Sequence, residues 1–386
     1  MRETLEILNP WWFGEKDSDL EKWRMQRIRW FPEWLRGLSL RPFSLNFLVG
    51  PRQVGKTTGI KLLIRSLIEK GVEPEKIIYL NAELSPSLER FQETLLSISK
   101  GGFSLIFIDE VTSLEGWWKP LKGLIDSGAF GKSSVTVSGS MSLKLKRQAE
   151  LFPGRTGWGR MVEVMPLSFS GLVKVLNIGR KSSEIKKAFE TYSRLGGFPA
   201  SLNYHEKFYS DWVKALESDI LKTGLSLKTS YQLFSSLLTK LPSPVSYQAV
   251  ASDIGVSYKT VAEYLERFED LFVLKLAYWR ENGKISFRKE KKILFRDPFI
   301  LHALSFWTRE RFLEATLYEN IIQEHLLRRF GEIYYYRNAF EIDCIAGDLK
   351  VEVKAGKPHR KYPRNVIILG KEDLPEFLLK LEKKVE

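Results

Sequence analysis

Apolar positions change period along this 386-residue chain, and each change marks an element. Between about Phe43 and Val164, short apolar runs alternate with stretches of helical period: FSLNFLV, KTTGIKLLIRSLIEKG, KIIYLNAE, SLIFIDE, SSVTVSGS and GRMVEVMP. Strands alternating with crossover helices predict a parallel α/β sheet. MPLSFSGLVKVL and SEIKKAFETYSRLGGFPASLNY keep the helical period, predicting a smaller helical region that reaches about Thr223.

Ahead of the sheet, Leu20, Trp23, Trp30, Phe31 and Trp34 recur at helical steps behind the acidic cap EKDSD, with Arg27 on the same face. The spacing predicts an amphipathic helix that packs on the following domain or, alternatively, covers a partner or subunit interface. Beyond Thr223, SYQAVASDIGVSYKTVAEYLERFEDLFVLKLAYW predicts a short helix, a turn at Gly255 and a second helix over Tyr258–Phe268. The β-rich FVLKLAYWRENGKISFRK follows, so the order is helix-turn-helix plus a two-stranded wing. Lys259 and Arg267 face Glu263, Glu266, Glu269 and Asp270 in the second helix, which leaves DNA reading and protein packing equally open. The remaining residues predict a helix (TLYENIIQEHLLRRFG), a run of strands and a closing charged helix.

Composition narrows the partners. Sixty Lys and Arg against 47 Asp and Glu give +13, a balance suited to an anionic partner such as nucleic acid. With Cys344 alone, no disulfide within the chain and no multi-cysteine metal site can form. His205, His302, His325 and His359 have no ligand spacing. The opening lacks a signal pattern, and no apolar run approaches the ~20 residues that span a bilayer, so a cytoplasmic protein without membrane insertion is expected.

GPRQVGKTT, Gly50 to Thr58, fits G-x-x-x-x-G-K-[ST] between a strand and a helix. Backbone N–H groups of Gly50, Arg52, Gln53, Val54 and Gly55 through Thr58, with Pro51 in the same loop, would surround a phosphate at the positive helix end. Lys56 would reach the β- and γ-phosphates, and the Thr57 hydroxyl would ligate Mg²⁺. FSLIFIDE ends in Asp109, suited to the Mg²⁺ shell, and Glu110, suited to orient or deprotonate water. Together these residues predict ATP binding and hydrolysis.

EIDCIAGDLKVEVKAG reads as a hairpin turning at Gly347-Asp348, with pairs 346:349, 345:350, 344:351 and 343:352. One face, from Ile342 to Val353, suits a core. The other sets Asp343 against Glu352, with Glu341 and Lys354 beside them. Like charges directly opposite are unfavourable, and a polar solvent face does not account for the choice of two acids. A divalent cation does, with Lys354 placed to steady charge on a phosphodiester.

These motifs, with NPWW, VSGSMS, PGRTGWGR, PLSFSG, LGGFPA, KILFRD and YENIIQEHL, resemble the AAA+ superfamily. More closely, they resemble archaeal and bacterial ATPases that join an AAA+ module to a winged helix and a PD-(D/E)XK nuclease-like domain. The resemblance implies an α/β chain with a Trp-rich segment (1–42), an ATPase core (43–166), a helical lid (167–226), a winged helix (227–298) and a nuclease-like domain (299–386). It implies Ser138 or Ser140 as the sensor, and Arg155 or Arg160 as a finger on its own or a neighbouring subunit's ATP, a homo-oligomer in the latter case. At the C-terminal site it implies Glu319, Asp343 and Glu352 as Mg²⁺ or Mn²⁺ ligands and Lys354 as the catalytic lysine, with Ile342 where the naming proline would stand. Two functions fit: an ATP-driven protein acting on nucleic acid, DNA ahead of RNA, with a metal-dependent nuclease; or a nucleotide-gated switch for a protein partner, its nuclease-like domain inert.

Overall fold

The computed structural model describes residues 2–139, 145, 149–179, 181–338, 340–354 and 362–383, which form two compact units, Met1–Met165 and Pro166–Glu386. The first begins with α1 (Arg2–Leu8) and α2 (Ser18–Met25). The amphipathic helix expected through Trp34 stops at Met25, and a short 3-10 turn resumes only at Glu33–Gly37. Gln26 is already extended, at φ −69° and ψ 142°, and Pro32, which lacks an N–H and disfavours helical backbone at Phe31, bars one helix from running through to Trp34.

The sheet of this unit runs β2-β3-β4-β1-β5, with β1 (Ser44–Val49), β2 (Ile77–Asn81), β3 (Leu105–Asp109), β4 (Ser134–Ser138) and β5 (Met161–Glu163) all parallel. β1, β3 and β4 are buried throughout, which explains their continuous apolar runs. α3 (Lys56–Glu69), α4 (Leu88–Lys100) and α5 (Trp118–Asp126) connect the strands, and Phe91, Leu95 and Trp117 join Phe47, Ile106 and Val137 in the core.

β2 is an edge strand, and the N-terminal segment covers it. The Asn9 amide mimics a strand residue, donating to the Tyr79 carbonyl at 2.9 Å and accepting from the Tyr79 N–H at 2.7 Å. The Trp11 and Trp12 indoles both donate to the Ile77 carbonyl, at 3.3 and 2.9 Å. Pairing such an edge removes a template for unwanted strand addition. The Trp34 ring rests on Gly59 of α3, where a Cβ would lie 2.3 Å from it. Lys61 of α3, buried, bonds Asp17 at 2.9 Å and Asp19 at 2.7 Å, and Asp17 also caps α2.

The second unit starts with α6 (Phe169–Val175), α7 (Ser182–Leu195), α8 (Pro199–Tyr204) and α9 (Phe208–Lys222). There follow α10 (Leu227–Lys240), α11 (Tyr247–Ile254), α12 (Tyr258–Asp270), β6 (Leu274–Glu281), β7 (Lys284–Ser286) and β8 (Lys292–Phe295). Left-handed Gly255 ends α11, and Ser257 caps α12. Asn282 and Gly283 turn β6 into β7 with φ of 47° and 80°, the positive pair that a type I′ hairpin needs. The chain closes with α13 (Pro298–Thr308), α14 (Glu314–Phe330), β9 (Tyr334–Arg337), β10 (Glu341–Ala346), β11 (Leu349–Lys354), β12 (Ile367–Gly370) and α15 (Leu374–Lys383).

Its sheet runs β12-β11-β10-β9-β6-β7, with β8 pairing to β6 off that path. Parallel pairing of Tyr278 with Tyr334 and Trp279 with Tyr335 joins β6 to β9. The divisions expected at 226/227 and 298/299 therefore fall inside one unit: β6 serves both the hairpin and the C-terminal sheet.

Buried polar groups interlock the quoted motifs of this unit. Glu324 receives Arg296 at 2.8 Å and Arg328 at 2.7 Å, and Arg328 also donates to the Pro166 carbonyl at 2.7 Å. Breaking such a buried ion cluster from one side typically costs about 3–5 kcal/mol. Asp297 caps α13 through the Phe299 N–H at 2.8 Å and accepts the Gly197 N–H at 3.0 Å. The glycine pair of LGGFPA admits this approach, since a Cβ on Gly196 would lie 1.7 Å from Asp297 Oδ1. Buried His325 accepts from the Phe169 N–H through Nε2 at 3.0 Å, and its Nδ1 donates to the Ile321 carbonyl at 2.7 Å.

Two of these groups titrate in opposite senses. Burial raises the Asp297 carboxyl to about 7, so its share of stability is complete below about pH 4 and lost as pH rises through 7. Burial, helped by Arg328, lowers His325 to about 4, so its share is complete above about pH 6.5 and lost as pH falls through 4. Between pH 4 and 6.5 the two slopes offset. Asp297→Asn keeps the cap but removes one slope: chemical denaturation across this range will show stability rising with pH more steeply in the variant than in wild type.

Candidate functional site

The phosphate loop leaves β1 at Gly50 and enters α3 at Lys56, in the strand-to-helix setting its pattern requires. Gly50 touches β5's continuation: a Cβ there would lie 2.0 Å from the Val164 carbonyl oxygen. Gln53 and Gly55 are left-handed, at φ 60° and 95°, so Pro51, Arg52, Gln53 and Val54 curl above the first turn of α3. Lys56, Thr57 and Thr58 form that turn. The Lys56 ammonium bonds the Gly50 and Pro51 carbonyls at 2.8 and 2.9 Å, within the loop it would serve.

Asp109, at the carboxyl end of β3, is fully buried and gathers hydroxyls from three other elements. Thr57 donates at 2.5 Å, Tyr79 of β2 at 2.9 Å, and Ser138 of β4 donates to the other carboxylate oxygen. Burial and then the Asp109 charge push the Tyr79 hydroxyl far above the usual phenol range, fixing it as a donor. Glu110 follows in a left-handed conformation, φ 52°, turning the chain out of the strand. Hard oxygen donors beside a helix N-terminus and a loop pressed close by glycine fit a Mg²⁺–nucleotide: Thr57 and Asp109 would hold the cation, and the loop the phosphates.

Ser138 thus meets Asp109, while Ser140 lies outside the described residues. Neither arginine sits at the loop. The Leu45 N–H bonds the Thr156 carbonyl at 3.0 Å, so Arg155 lies beside the start of β1, about 16 Å along the strand from Gly50 at ~3.3 Å per residue. Its guanidinium is engaged by Asp126 at 2.5 and 3.2 Å. Arg160 is exposed, with its carbonyl accepting from Phe47 N–H at 2.9 Å, midway along the same strand. Arg155 is therefore placed away from its own chain's loop and paired with Asp126.

In the C-terminal hairpin the pairs 344:351, 345:350 and 346:349 form as read from the sequence. Beyond them, backbone-to-side-chain bonds replace the ladder. The Asp343 N–H donates to Glu352 at 3.1 Å and the Val353 N–H donates to Asp343 at 2.9 Å, so the two acids meet N–H groups rather than each other. This face is not open to solvent: α14 covers it, and Glu319, Asp343 and Glu352 are all buried. A lysine from another strand, which no sequence motif marks, stands among them. Lys292 of β8 bonds Glu319 at 2.6 Å, Asp343 at 2.6 Å and Glu341 at 3.0 Å. Lys354 pairs with Glu352, which also accepts the Tyr362 hydroxyl at 3.0 Å.

Burial opposes charge on Lys292, but Asp343, Glu319 and Glu341 outweigh it and hold the ammonium protonated. Burial and Asp343 push Glu319 well above the carboxylate range against the pull of Lys292. Burial and Asp343 likewise raise Glu352 to about 7. Among the described residues, no group of three or more His, Cys, Asp or Glu is arranged to hold a metal ion. The ligand set read from the sequence as a cation site is thus assembled around a lysine, and these residues do not fit a metal here.

Residues 43–173, which hold the loop and the parallel sheet, match the family model described as AAA domain. Residues 186–311 match a model described as a domain of unknown function, DUF8612. The chain is similar to an uncharacterised protein of Haemophilus influenzae, 24% identical over 324 residues, covering 78% of this chain and 79% of that one. An uncharacterised protein of Methanocaldococcus jannaschii is 23% identical over 336 residues, covering 80% and 73%. One of Mycobacterium tuberculosis is 27% identical over 341 residues, covering 84% and 70%. Among solved structures, yeast Hsp104 in a casein complex aligns at 20% identity with a TM-score of 0.28, covering 46% of this chain and 31% of that one. A Drosophila ORC structure with AT-rich DNA and Cdc6 aligns at 11% identity and 0.25, covering 76% and 93%. No helix among the described residues is long and apolar enough to cross a membrane.

Tyr79 was missed by motif reading because it sits inside an apolar strand, where a tyrosine looks like core. Its hydroxyl bond is worth about 1.5–3 kcal/mol as a bond to a charged group. Tyr79→Phe will fold with wild-type circular dichroism, yet need several-fold more Mg²⁺ for half-maximal ATP turnover; an unchanged Mg²⁺ requirement would remove Tyr79 from the site.

Proposed function

We propose that this protein binds and hydrolyses ATP in its first unit and holds nucleic acid, duplex DNA first, with its second. The contact between Thr57 and Asp109 at the phosphate loop carries the ATPase half. In this reading Lys56 exchanges its loop carbonyls for the β- and γ-phosphates, Glu110 orients and deprotonates water, and Ser138 senses the γ-phosphate through Asp109. Bound Mg²⁺ supplies neutralisation of the triphosphate charge. Arg155, at the far end of β1, is a finger toward a neighbouring copy in a homo-oligomer.

The β6–β7 hairpin supports the nucleic-acid half, as the wing of a winged helix-turn-helix. Arg280, Lys284, Arg288, Lys289 and Lys291 crowd this hairpin and the loop between β7 and β8, and Phe287 is 67% exposed among them. Cations around an exposed ring suit a phosphate backbone and a base or sugar face. α12 contributes less, because its acids outnumber its bases. Metal-dependent cleavage through Glu319, Asp343, Glu352 and Lys354 is not part of this reading, because Lys292 stands among the carboxylates.

That same lysine, with the acidic α12, favours a second reading: a nucleotide-gated switch whose second unit docks a protein. Two measurements separate and test them. Glu110→Gln will bind ATP like wild type and lose turnover by about 10²-fold or more. Duplex binding will weaken with salt, and Arg288→Ala/Lys289→Ala will lower the log–log salt slope by about 2. Duplex affinity unchanged by salt and by the double substitution would leave the switch as the better account.

A further inference from the structure

We infer that Lys292 is a built-in counter-ion that takes the place of a divalent cation in the second unit, making that unit a binding module that does not cut. An ammonium has three donors, and Glu319, Asp343 and Glu341 supply an acceptor to each, at 2.6, 2.6 and 3.0 Å. The Lys292 side chain is 2% exposed, so this is an interior charge with its compensation built around it. The rest of the donor set is committed as well. The other Asp343 oxygen accepts the Val353 N–H, and the Glu352 oxygens accept the Asp343 N–H, the Tyr362 hydroxyl and Lys354.

Mg²⁺ needs near-octahedral oxygens at about 2.0–2.1 Å. A Nζ at 2.6 Å from two of the same carboxylates fills that volume, and two cations cannot share it. Lys292 also comes from outside the hairpin: β8 pairs with β6, so the ammonium ties β8 to α14 through Glu319 and to β10 through Glu341 and Asp343. The same charge that closes the cation position holds the parts of this unit together.

The test uses the full chain without nucleotide. Wild type, Asp343→Asn, Lys292→Met and Lys292→Met/Asp343→Asn are titrated with Mn²⁺, free ion being read by electron paramagnetic resonance and Tm by calorimetry, and wild type and Glu352→Ala are incubated with duplex DNA and Mn²⁺. Wild type will take up no Mn²⁺ that Asp343→Asn removes. Lys292→Met will melt lower, bind Mn²⁺ about tenfold or more tighter than wild type, and regain Tm as Mn²⁺ is added. If Lys292→Met alone does not fold, Lys292→Met/Glu319→Gln/Asp343→Asn will, because it removes the uncompensated charges. Mn²⁺ uptake by wild type that Asp343→Asn abolishes, DNA cleavage by wild type that Glu352→Ala abolishes, or a Tm unchanged by Lys292→Met would each overturn the inference.

Discussion

The nucleotide site depends on one carboxylate. Asp109 is buried at the end of β3 and holds hydroxyls from α3, β2 and β4. A buried carboxylate without such donors would be strongly unfavourable, so the three hydroxyls satisfy its oxygens and aim it at the loop. The N-terminal segment belongs to the same arrangement. Asn9 fixes the backbone of Tyr79, whose hydroxyl reaches Asp109, while Asp17 and Asp19 hold Lys61 on the loop's own helix. The tryptophans of NPWW thereby cover a sheet edge, and their exposure to a partner is not required to explain them.

The second unit solves the same problem with opposite charges. Its interior carries Arg296, Arg328 and Glu324 in one cluster and Lys292, Glu319 and Asp343 in another. Buried pairs of this kind add little net stability over apolar packing, but each partner becomes costly to lose. They join the β8–α13 region to α14 and to the C-terminal hairpin. With β6 shared between the hairpin and the C-terminal sheet, the helix-turn-helix region and the last strands lie within one compact unit.

Much of this was legible in the sequence, and the misses have physical causes. The parallel sheet showed itself because buried strands are continuous apolar runs, and GPRQVGKTT carried its own context. Residues 344–346 and 349–351 took the expected register because side chains alternate with period two and the Gly347 turn is tight. Helix length near Trp34 was misjudged because periodicity outweighed the single Pro32. Lys292 was illegible: in RKEKKILF it ends a run of charges that looks like solvated surface, and only the β6–β8 pairing turns it inward. The solvent-facing or metal-facing choice for Asp343 and Glu352 could not include a lysine fifty residues upstream.

If Asp109 and Thr57 together hold the cation of a bound nucleotide, ATP affinity depends on Mg²⁺ through Asp109. Calorimetric titration of ATP into wild type and Asp109→Asn, each with Mg²⁺ and with chelator, tests it most directly. Mg²⁺ will tighten ATP binding to wild type by about tenfold or more and leave Asp109→Asn unchanged, with both proteins folded. Equal ATP affinity with and without Mg²⁺ in wild type, or an undiminished Mg²⁺ effect in Asp109→Asn, would contradict it.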